Sequence, residues 1–397
     1  MRIFENPNYN FIKYRWHALV ISALIIAVGI GAFVMQGINL GIDFAGGANI
    51  TLKFREAVPL DELRTKLPNA TIQQYGRTQD NAVLIRLPQA RQEGDYAGQT
   101  VEQLHRAMNA EAATKHDLNY LGSDRLASLL MQADPDAKGT NPAAVQYYRD
   151  IANRVIDRRS DVGIFTSMSQ AAQGTTAGVA RVLNERTFLG RFNVLNQETV
   201  GPQVGREFQQ KAILAIVFSS LAMSLYIWLR FRNLKFGVAA MVCILHDVSV
   251  AMAFLLLMKL EFSLNVVAAL LTIVGYSIND TVVLYDRVRE NQRKIKKPMS
   301  LAEHLNLAMN QTLSRTILTS GTVFLVLLAM LAFGGEVIRG FSWILTIGVI
   351  SGTYSTLLII PAVAVAWDRW NQKRRPAGAT ARVEAPAIET QRKRRAS

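Results

Sequence analysis

Residues Phe262 to Glu290 read FSLNVVAALLTIVGYSINDTVVLYDRVRE, and this stretch decides the fold of the 397-residue chain. Its first eighteen residues contain no Asp, Glu, Lys or Arg, which is long enough for a membrane-spanning helix. Asp280 follows, ahead of the polar boundary at Asp286 and Arg287, and a charged carboxylate in lipid costs ~2.5 to 3.5 kcal/mol. Asp280 therefore either frays, caps or packs a helix, or it is a membrane carboxylate that titrates or binds an ion.

Other apolar runs of similar length indicate a polytopic α-helical membrane protein. The sequence predicts six spans, at residues 16–36, 212–229, 236–258, 262–284, 316–335 and 340–366. A cleaved signal peptide is the alternative for the first run. That run is longer than the usual apolar part of a signal peptide, and no small-x-small cleavage site stands out before Gly37, so a retained span is favoured.

Lys and Arg are unequally divided between the two sides of such a protein. With a cytoplasmic amino terminus, segments 1–15, 230–235, 286–315 and 367–397 hold 22 of the 44 basic residues and only 7 acidic residues. This positive-inside pattern places both termini in the cytoplasm and accounts for the net charge of +14 without a nucleic-acid partner. Residues 285–315 are expected to form a cytoplasmic loop. The basic segment 367–397 is expected to be disordered and attracted to anionic lipids.

The loop at 37–211 is the one soluble domain that this arrangement leaves. Its apolar pattern predicts strands at 49–54, 71–75, 82–87 and 192–199, with a helix at 60–67 after Pro59. The order β-α-β-β, a helical part and then β is compatible with a ferredoxin-like α+β layer. Helical periodicity between about 93 and 190 is interpreted as an insertion, which is either a structural elaboration or a binding site for a partner.

Motifs for enzymatic chemistry are missing from the sequence. The five His and one Cys residues have no metal-ligand spacing, and neither a Walker-type phosphate loop nor a G-x-S-x-G elbow occurs. We therefore expect no cofactor, no metal and no enzyme activity, and any work must draw on an energy source other than ATP bound to this chain.

Two further charged residues lie where a membrane protein rarely places them. Arg315 stands where the fifth span begins on the cytoplasmic side, and its long side chain can reach Asp280 directly or through water. A carboxylate balanced between burial and a guanidinium can take up and release a proton, as a proton-driven transporter requires. Asp247 lies deeper in the membrane, in the third span. It either forms hydrogen bonds that pack helices together or acts as a second group of a proton relay. His246 projects about 100° away around the helix, so the two are not expected to face one small site.

Glycine and proline residues are expected to form a turn, close helix contacts and a kink in or beside the predicted spans. Gly46 and Gly47 mark a sharp turn from the first span into the first strand. Glycines inside the spans allow close helix approach; they are Gly275, Gly321, Gly348 and Gly352. Pro361 should kink the last span or mark a local break in it.

Several short motifs occur in an order that resembles one protein family. They are GIDFAGG at 41–47, VGPQVG at 200–205, LRF at 229–231, LHDV at 245–248, GYSINDTVV at 275–283, DRVREN at 286–291 and QTLSRT at 311–316. They resemble the SecF family, the smaller subunit of the bacterial SecD/SecF accessory complex of the Sec translocase, over residues 1–90 and 192–370. The motif residues carried by this resemblance are Asp43, Gly46, Gly47, Gly275, Asn279, Asp286 and Arg287.

The resemblance implies half of a resistance-nodulation-division (RND) bundle, completed by six spans of SecD in the bacterial inner membrane. It implies that proton flow through Asp280 and Arg315 helps to move a translocating polypeptide out of the SecYEG channel, with YajC as a further candidate partner. The insertion at 93–190 departs from the family pattern. A small-molecule exporter of the same superfamily and a non-transporting scaffold are the competing functions.

Overall fold

The structure is a computed structural model that describes residues 7–88, 95–335 and 337–374. Contacts divide the chain into two compact units, a membrane unit of Met1–Asn39 with Ala212–Ser397 and a second unit of Leu40–Lys211. In chain order the helices and strands are α1 Arg15–Gln36, α2 Ile42–Ala45, β1 Gly47–Phe54, α3 Leu60–Lys66, β2 Thr71–Tyr75, β3 Ala82–Leu87, α4 Tyr96–Met108, β4 His116–Asp117, α5 Ser123–Ala133, α6 Pro142–Val162, α7 Met168–Ala172, α8 Ala177–Arg186, β5 Thr187–Phe188, β6 Phe192–Val200, α9 Pro202–Phe231, α10 Leu234–Leu257, α11 Leu264–Lys294, α12 Leu301–Phe333, α13 Arg339–Tyr354 and α14 Ile360–Arg374.

Six helical segments of the described chain are long and apolar enough to cross a membrane. They are α1, α9, α10, α11, α12 and the continuous segment formed by α13 and α14. Helices α10, α11 and α13 contribute many of the buried side chains, whereas α1, α9 and α12 expose large apolar residues along much of their length. The predicted polytopic helical fold with six spans is confirmed.

Several helices extend beyond the apolar runs that predicted them. The expected loop at 285–315 is largely helical, because α11 continues to Lys294 and α12 begins at Leu301, which leaves residues 295–300 as the connection. Glu290 accepts hydrogen bonds from Arg287 at 2.6 Å and Lys294 at 2.6 Å, which supports the last turns of α11. A capping box formed by Ser300 and Glu303 starts α12. Helix α9 likewise begins at Pro202, ahead of the predicted span.

The last span contains a local break where Pro361 predicted one. A π turn at Ser355–Ile359 joins α13 to α14. A π turn widens the helix by one residue, and proline has no backbone N–H to donate to the regular hydrogen-bond pattern, so the two features occur together. Helix α14 runs to Arg374, so residues 367–374 are helical rather than disordered, and residues 375–397 lie outside the described residues.

The second unit is built on a four-stranded antiparallel sheet in the order β2-β3-β1-β6. Alternate residues of β1 and β3 face one side, where α3 and α4 cover them. Buried residues of this layer are Ile50, Leu52, Phe54, Leu63, Val83, Ile85, Leu87, Val101 and Leu104. The strand order and the helices between strands are compatible with the expected ferredoxin-like layer.

The helical insertion is shorter than predicted. Helix α4 packs on the sheet through Ala97, Val101 and Leu104, so it belongs to the α+β layer and not to an insertion that starts at 93. A separate apolar core begins at Leu118 and is formed by α5 to α8. The division of the domain at 93–190 is therefore corrected to a helical subdomain of about 118–189.

A buried polar cluster joins this subdomain to α4. The Asp117 carboxylate lies 2.8 Å from Nε2 of His105 on α4 and accepts hydrogen bonds from the backbone N–H of Asn119 and Gly190. The Asn119 amide in turn donates to the backbone carbonyls of Phe165 and Gly190. Because these groups are buried, their mutual satisfaction fixes how the subdomain is attached.

Candidate functional site

Asp280 lies on the buried face of α11, where its side chain is only 4% exposed. The helix continues from it to Lys294, so Asp280 neither frays nor caps a helix end. Its Oδ2 atom is buried and has no hydrogen-bond partner within the described part of the chain. Leaving a buried polar atom unsatisfied costs about 1 to 3 kcal/mol, so helix packing alone does not account for this carboxyl.

Arg315 is the charged neighbour of Asp280. It lies on α12, its side chain is exposed, and its guanidinium interacts electrostatically with the Asp280 carboxyl. The hydrogen bonds and salt bridges of the described residues do not join the two groups directly. The structure thus places them close enough to influence each other but separated, which leaves room for a mediating water or for a movement that brings them together.

A chain of hydroxyl groups lies one turn from Asp280. The Tyr276 hydroxyl on α11 donates to Ser320 Oγ on α12 at 2.9 Å, and Thr353 Oγ1 on α13 donates to the same oxygen at 2.7 Å. Sequence reasoning missed this chain because its members are far apart in the sequence and no local pattern connects them. It joins α11, which carries Asp280, to α12 and α13.

Asp247 lies at the centre of a second polar cluster and is fully buried. Its Oδ2 accepts hydrogen bonds from Ser277 Oγ on α11 at 2.7 Å and from Ser355 Oγ in the π turn at 2.9 Å. Its Oδ1 accepts a hydrogen bond from Ser351 Oγ on α13 at 2.7 Å. One carboxylate on α10 therefore holds three other parts of the bundle.

His246 belongs to the same cluster, so the expectation that it would face elsewhere is wrong. Its Nδ1 lies 3.0 Å from Asp247 Oδ1, and its Nε2 lies 2.8 Å from Ser22 Oγ on α1. The angle of about 100° separates the directions of the two Cβ atoms. The ring and carboxylate atoms lie further out along their side chains and approach each other there, while the ring also reaches Ser22 on α1.

The two membrane aspartates have opposite surroundings. Four polar side chains satisfy both oxygens of Asp247, which is what a helix-packing hydrogen bonder requires. Oδ2 of Asp280, in contrast, is buried without a hydrogen-bond partner among the described residues, and the guanidinium of Arg315 is its charged neighbour. Within the described residues, Asp280 thus has an oxygen free for a new hydrogen bond, whereas both oxygens of Asp247 already accept one.

The glycines of the predicted turn after the first span have the required backbone. Gly46 has φ +73° and Gly47 has φ +124°, in the region that favours glycine. The preceding residues, which include Asp43, form α2. A Cβ atom on Gly205 would lie 2.9 Å from the Phe44 carbonyl oxygen, so the motifs at 41–47 and 200–205 pack against each other.

The remaining motif residues all lie on α11; they are Gly275, Asn279, Asp286 and Arg287. Gly348 of α13 approaches α11 closely, since a Cβ there would lie 2.2 Å from Ile273. Gly275 does not serve that purpose within the described chain, because a Cβ atom added to it would meet no other atom within 4 Å. Asn279, on the next turn, is exposed. Asp286 forms a salt bridge of 3.3 Å with Arg230.

Arg287 completes the motif at the end of α11. Its Nε donates to Gln311 Oε1 on α12 at 2.7 Å, and its Nη1 donates to Glu290. The guanidinium thus joins the ends of α11 and α12 outside the apolar part of the bundle. No cluster of three or more His, Cys, Asp or Glu side chains that could hold a metal occurs among the described residues.

The chain is similar in sequence to known proteins along most of its length. Residues 31–58 match the SecD/SecF GG motif, and residues 181–370 match the family described as protein export membrane protein SecD/SecF, C-terminal. The protein translocase subunit SecF of Koribacter versatilis is 37% identical, over 98% of this chain and 97% of that relative. The chain belongs to the SecF family. The SecF subunit of Desulfurispirillum indicum is 31% identical, over 90% of this chain and 91% of that relative.

Solved structures of SecDF share the fold. The translocon-associated membrane protein SecDF from Thermus thermophilus is 29% identical, with a TM-score of 0.63 over 92% of this SecF-family chain. SecDF in a super-membrane-facing form gives a TM-score of 0.55 at 28% identity, over 94% of this chain. The chain spans about two fifths of these SecDF chains, with 39% and 40% covered. The similarity supports the predicted half of an RND-type bundle.

Proposed function

We propose that this chain is an accessory subunit of the Sec protein translocase that works with SecD and uses the proton motive force to assist polypeptide export. The observation that carries the proposal is the buried, unsatisfied Oδ2 of Asp280 beside Arg315. In this proposal the chain couples ion movement to conformational change and catalyses no covalent reaction.

The charge on Asp280 sets how strongly Arg315 is attracted to it. A charged carboxylate away from bulk water needs a counter-ion or water, whereas a neutral carboxyl does not. Deprotonation therefore favours an approach of Arg315 on α12, and protonation favours the separated arrangement seen in the structure. Alternation between the close and the separated arrangement shifts α12 against α11. Each cycle moves one proton if Asp280 is open to one side of the membrane in one arrangement and to the opposite side in the other.

Pairing with SecD is supported by an exposed polar face on two spans. Thr272, Gly275 and Asn279 are exposed along α11, and Arg315 and Thr322 are exposed along α12. Lipid tails solvate such groups poorly, whereas another helix can approach small residues closely and hydrogen-bond to polar ones. The exposed faces of α1 and α9 instead carry large apolar residues, which suit lipid.

The remaining partners follow from the family and from the charge distribution. A subunit of the Sec translocase would meet the SecYEG channel and the translocating polypeptide, and YajC is a further candidate. The excess of Lys and Arg in alternate segments supports the bacterial inner membrane with both termini cytoplasmic, where the basic segments attract anionic lipids.

Export by inverted membrane vesicles with and without an imposed proton gradient tests this function. Asp280→Asn removes the titrating group at constant size, so it should insert normally and lose the part of export that depends on the gradient. Asp286→Asn is the matched control, because its salt bridge with Arg230 is solvent-exposed and outside the proposed pathway. If Asp280→Asn retained full gradient-dependent export, the proposed proton coupling would be refuted and a scaffold role would remain.

A further inference from the structure

An open apolar groove runs along the outside of the hairpin formed by α9 and α10. Its volume is about 280 Å³. The lining residues come from the last turns of α9 and the first turns of α10; they are Leu221, Ser224, Leu225, Trp228, Leu234, Gly237, Val238 and Met241. The Ser224 hydroxyl is not available at the surface of the groove, because it donates to the Gly237 carbonyl at 2.9 Å. The groove therefore offers apolar contact along its length.

One end of the groove lies at the short link between the two helices, and that link is basic. Arg230 is paired with Asp286, and Lys235 is paired with Asp368. Arg232 lies between them in the link, is exposed, and makes no hydrogen bond or salt bridge with the described residues. Its φ of +50° places it in the left-handed region in which many helices end, a conformation that glycine adopts more readily than arginine. The link at this end of the groove thus carries Arg232, two residues from the lining residue Leu234, with no partner among the described residues.

We propose that this groove and Arg232 form a binding site for one anionic phospholipid, with an acyl chain in the groove and the headgroup phosphate on the guanidinium. Trp228, which is 44% exposed in the groove near this end, fits a site at the boundary between hydrocarbon and headgroups. Guanidinium and phosphate form strong, charge-assisted hydrogen bonds, which zwitterionic headgroups weaken through their own ammonium.

The basic link at one end of the apolar groove favours a ligand that is apolar along its length and anionic at one end. An anionic phospholipid has that charge distribution, whereas an apolar span of another subunit offers no anionic group at this point. A thin flexible chain fits along the line between α9 and α10, and its charged end then reaches the link. The site depends on the apolar surface and on Arg232, and it does not depend on proton coupling at Asp280.

Native mass spectrometry of the purified full chain, titrated with phosphatidylglycerol or with phosphatidylcholine of the same acyl chains, tests the site. The parent should retain phosphatidylglycerol preferentially. Arg232→Gln should reduce that preference about fivefold, the factor that corresponds to about 1 kcal/mol per basic residue near the membrane surface. Leu225→Trp should fill the groove from a half-exposed position and lower retention of both lipids.

Two matched controls separate the site from general effects. Arg293→Gln removes an exposed charge from the same side of the membrane, at the end of α11, and Val242→Trp adds an exposed indole to α10 outside the groove. Both should behave as the parent. Unchanged lipid preference in Arg232→Gln, or a loss as large in Arg293→Gln, would overturn the proposal. So would efficient disulfide cross-linking of a cysteine at Leu221 or Leu225 to a span of another subunit.

Discussion

Replacing Asp247 with alanine removes the acceptor that four side chains share in the middle of the bundle. Hydrogen bonds between membrane helices average about 0.6 kcal/mol and reach about 1.7 kcal/mol, so four of them give about 2.4 kcal/mol. The Ser277 and Ser351 hydroxyls would also lose the buried carboxylate that accepts from them, which adds to the cost, whereas Ser355 keeps the Gly352 carbonyl at 3.1 Å. We therefore expect Asp247→Ala to lower the free energy of unfolding by about 2 to 4 kcal/mol, whereas Ser351→Ala should cost only about 0.6 kcal/mol.

Reversible unfolding of the full chain in mixed micelles, followed by circular dichroism during a titration with dodecyl sulfate, measures these values. Ser277→Ala and Ser355→Ala provide two further single deletions around the same carboxylate. Each should cost much less than Asp247→Ala, because each removes one donor and leaves the others bonded.

The conservative variant Asp247→Asn separates a packing role from a proton relay. Its amide keeps one carbonyl acceptor and cannot exchange a proton at neutral pH. A packing role predicts a modest loss of stability and retained gradient-dependent export in vesicles. Normal stability combined with loss of gradient-dependent export would instead make Asp247 a relay group. A change of less than ~0.5 kcal/mol in Asp247→Ala would refute the packing argument itself.

Three smaller predictions concern glycines and the helical subdomain. Gly348→Ala should destabilise the chain by about 1 to 3 kcal/mol in the same unfolding assay, because the new methyl group would overlap Ile273. Gly275→Ala should leave the unfolding of the isolated chain unchanged and weaken co-purification with SecD, and equal losses in both glycine variants would contradict this. The Tyr148 hydroxyl donates to Asp134, and this hydrogen bond is the main cause that lowers the pKa of Asp134 from 3.8. Protection of residues 134–139 from hydrogen exchange should therefore fall as the pH drops below 3.8. Asp134→Asn should lose that pH dependence.

The strands and the number of spans could be predicted because both depend on local patterns. The predicted bounds of β2 and β3 agree with the structure, since two-residue alternation between turn signals limits a strand closely. The spans could be counted because only uncharged runs of this length cross a membrane as helices.

The helix ends could not be predicted from apolar length. Charged residues end the apolar run, but they do not end a helix when they pair with one another along it. Glu290 with Lys294, and Glu207 with Lys211, extend α11 and α9 in this way into regions that were expected to be loops.

The candidate site could be predicted only in part. Asp280 and Asp247 stand out in a sequence because each is a carboxylate in an apolar run. Their different surroundings depend on residues far away in the chain, such as Ser351 and Ser355, and no periodicity indicates which hydroxyl meets which carboxylate. The same limit applies to α4, whose place on the sheet depends on contacts with β1 and β3.

The bond between Ser277 and Asp247 also constrains motion at the neighbouring site. Ser277 lies less than one helical turn before Asp280, and a helix is stiff over that distance. Any rotation of α11 that turned Asp280 toward a different side would have to break this bond first. In the proposed coupling we therefore expect α11 to keep its orientation relative to α10, and distance measurements between labels on α11 and α12 should detect displacement of α12, which carries Arg315.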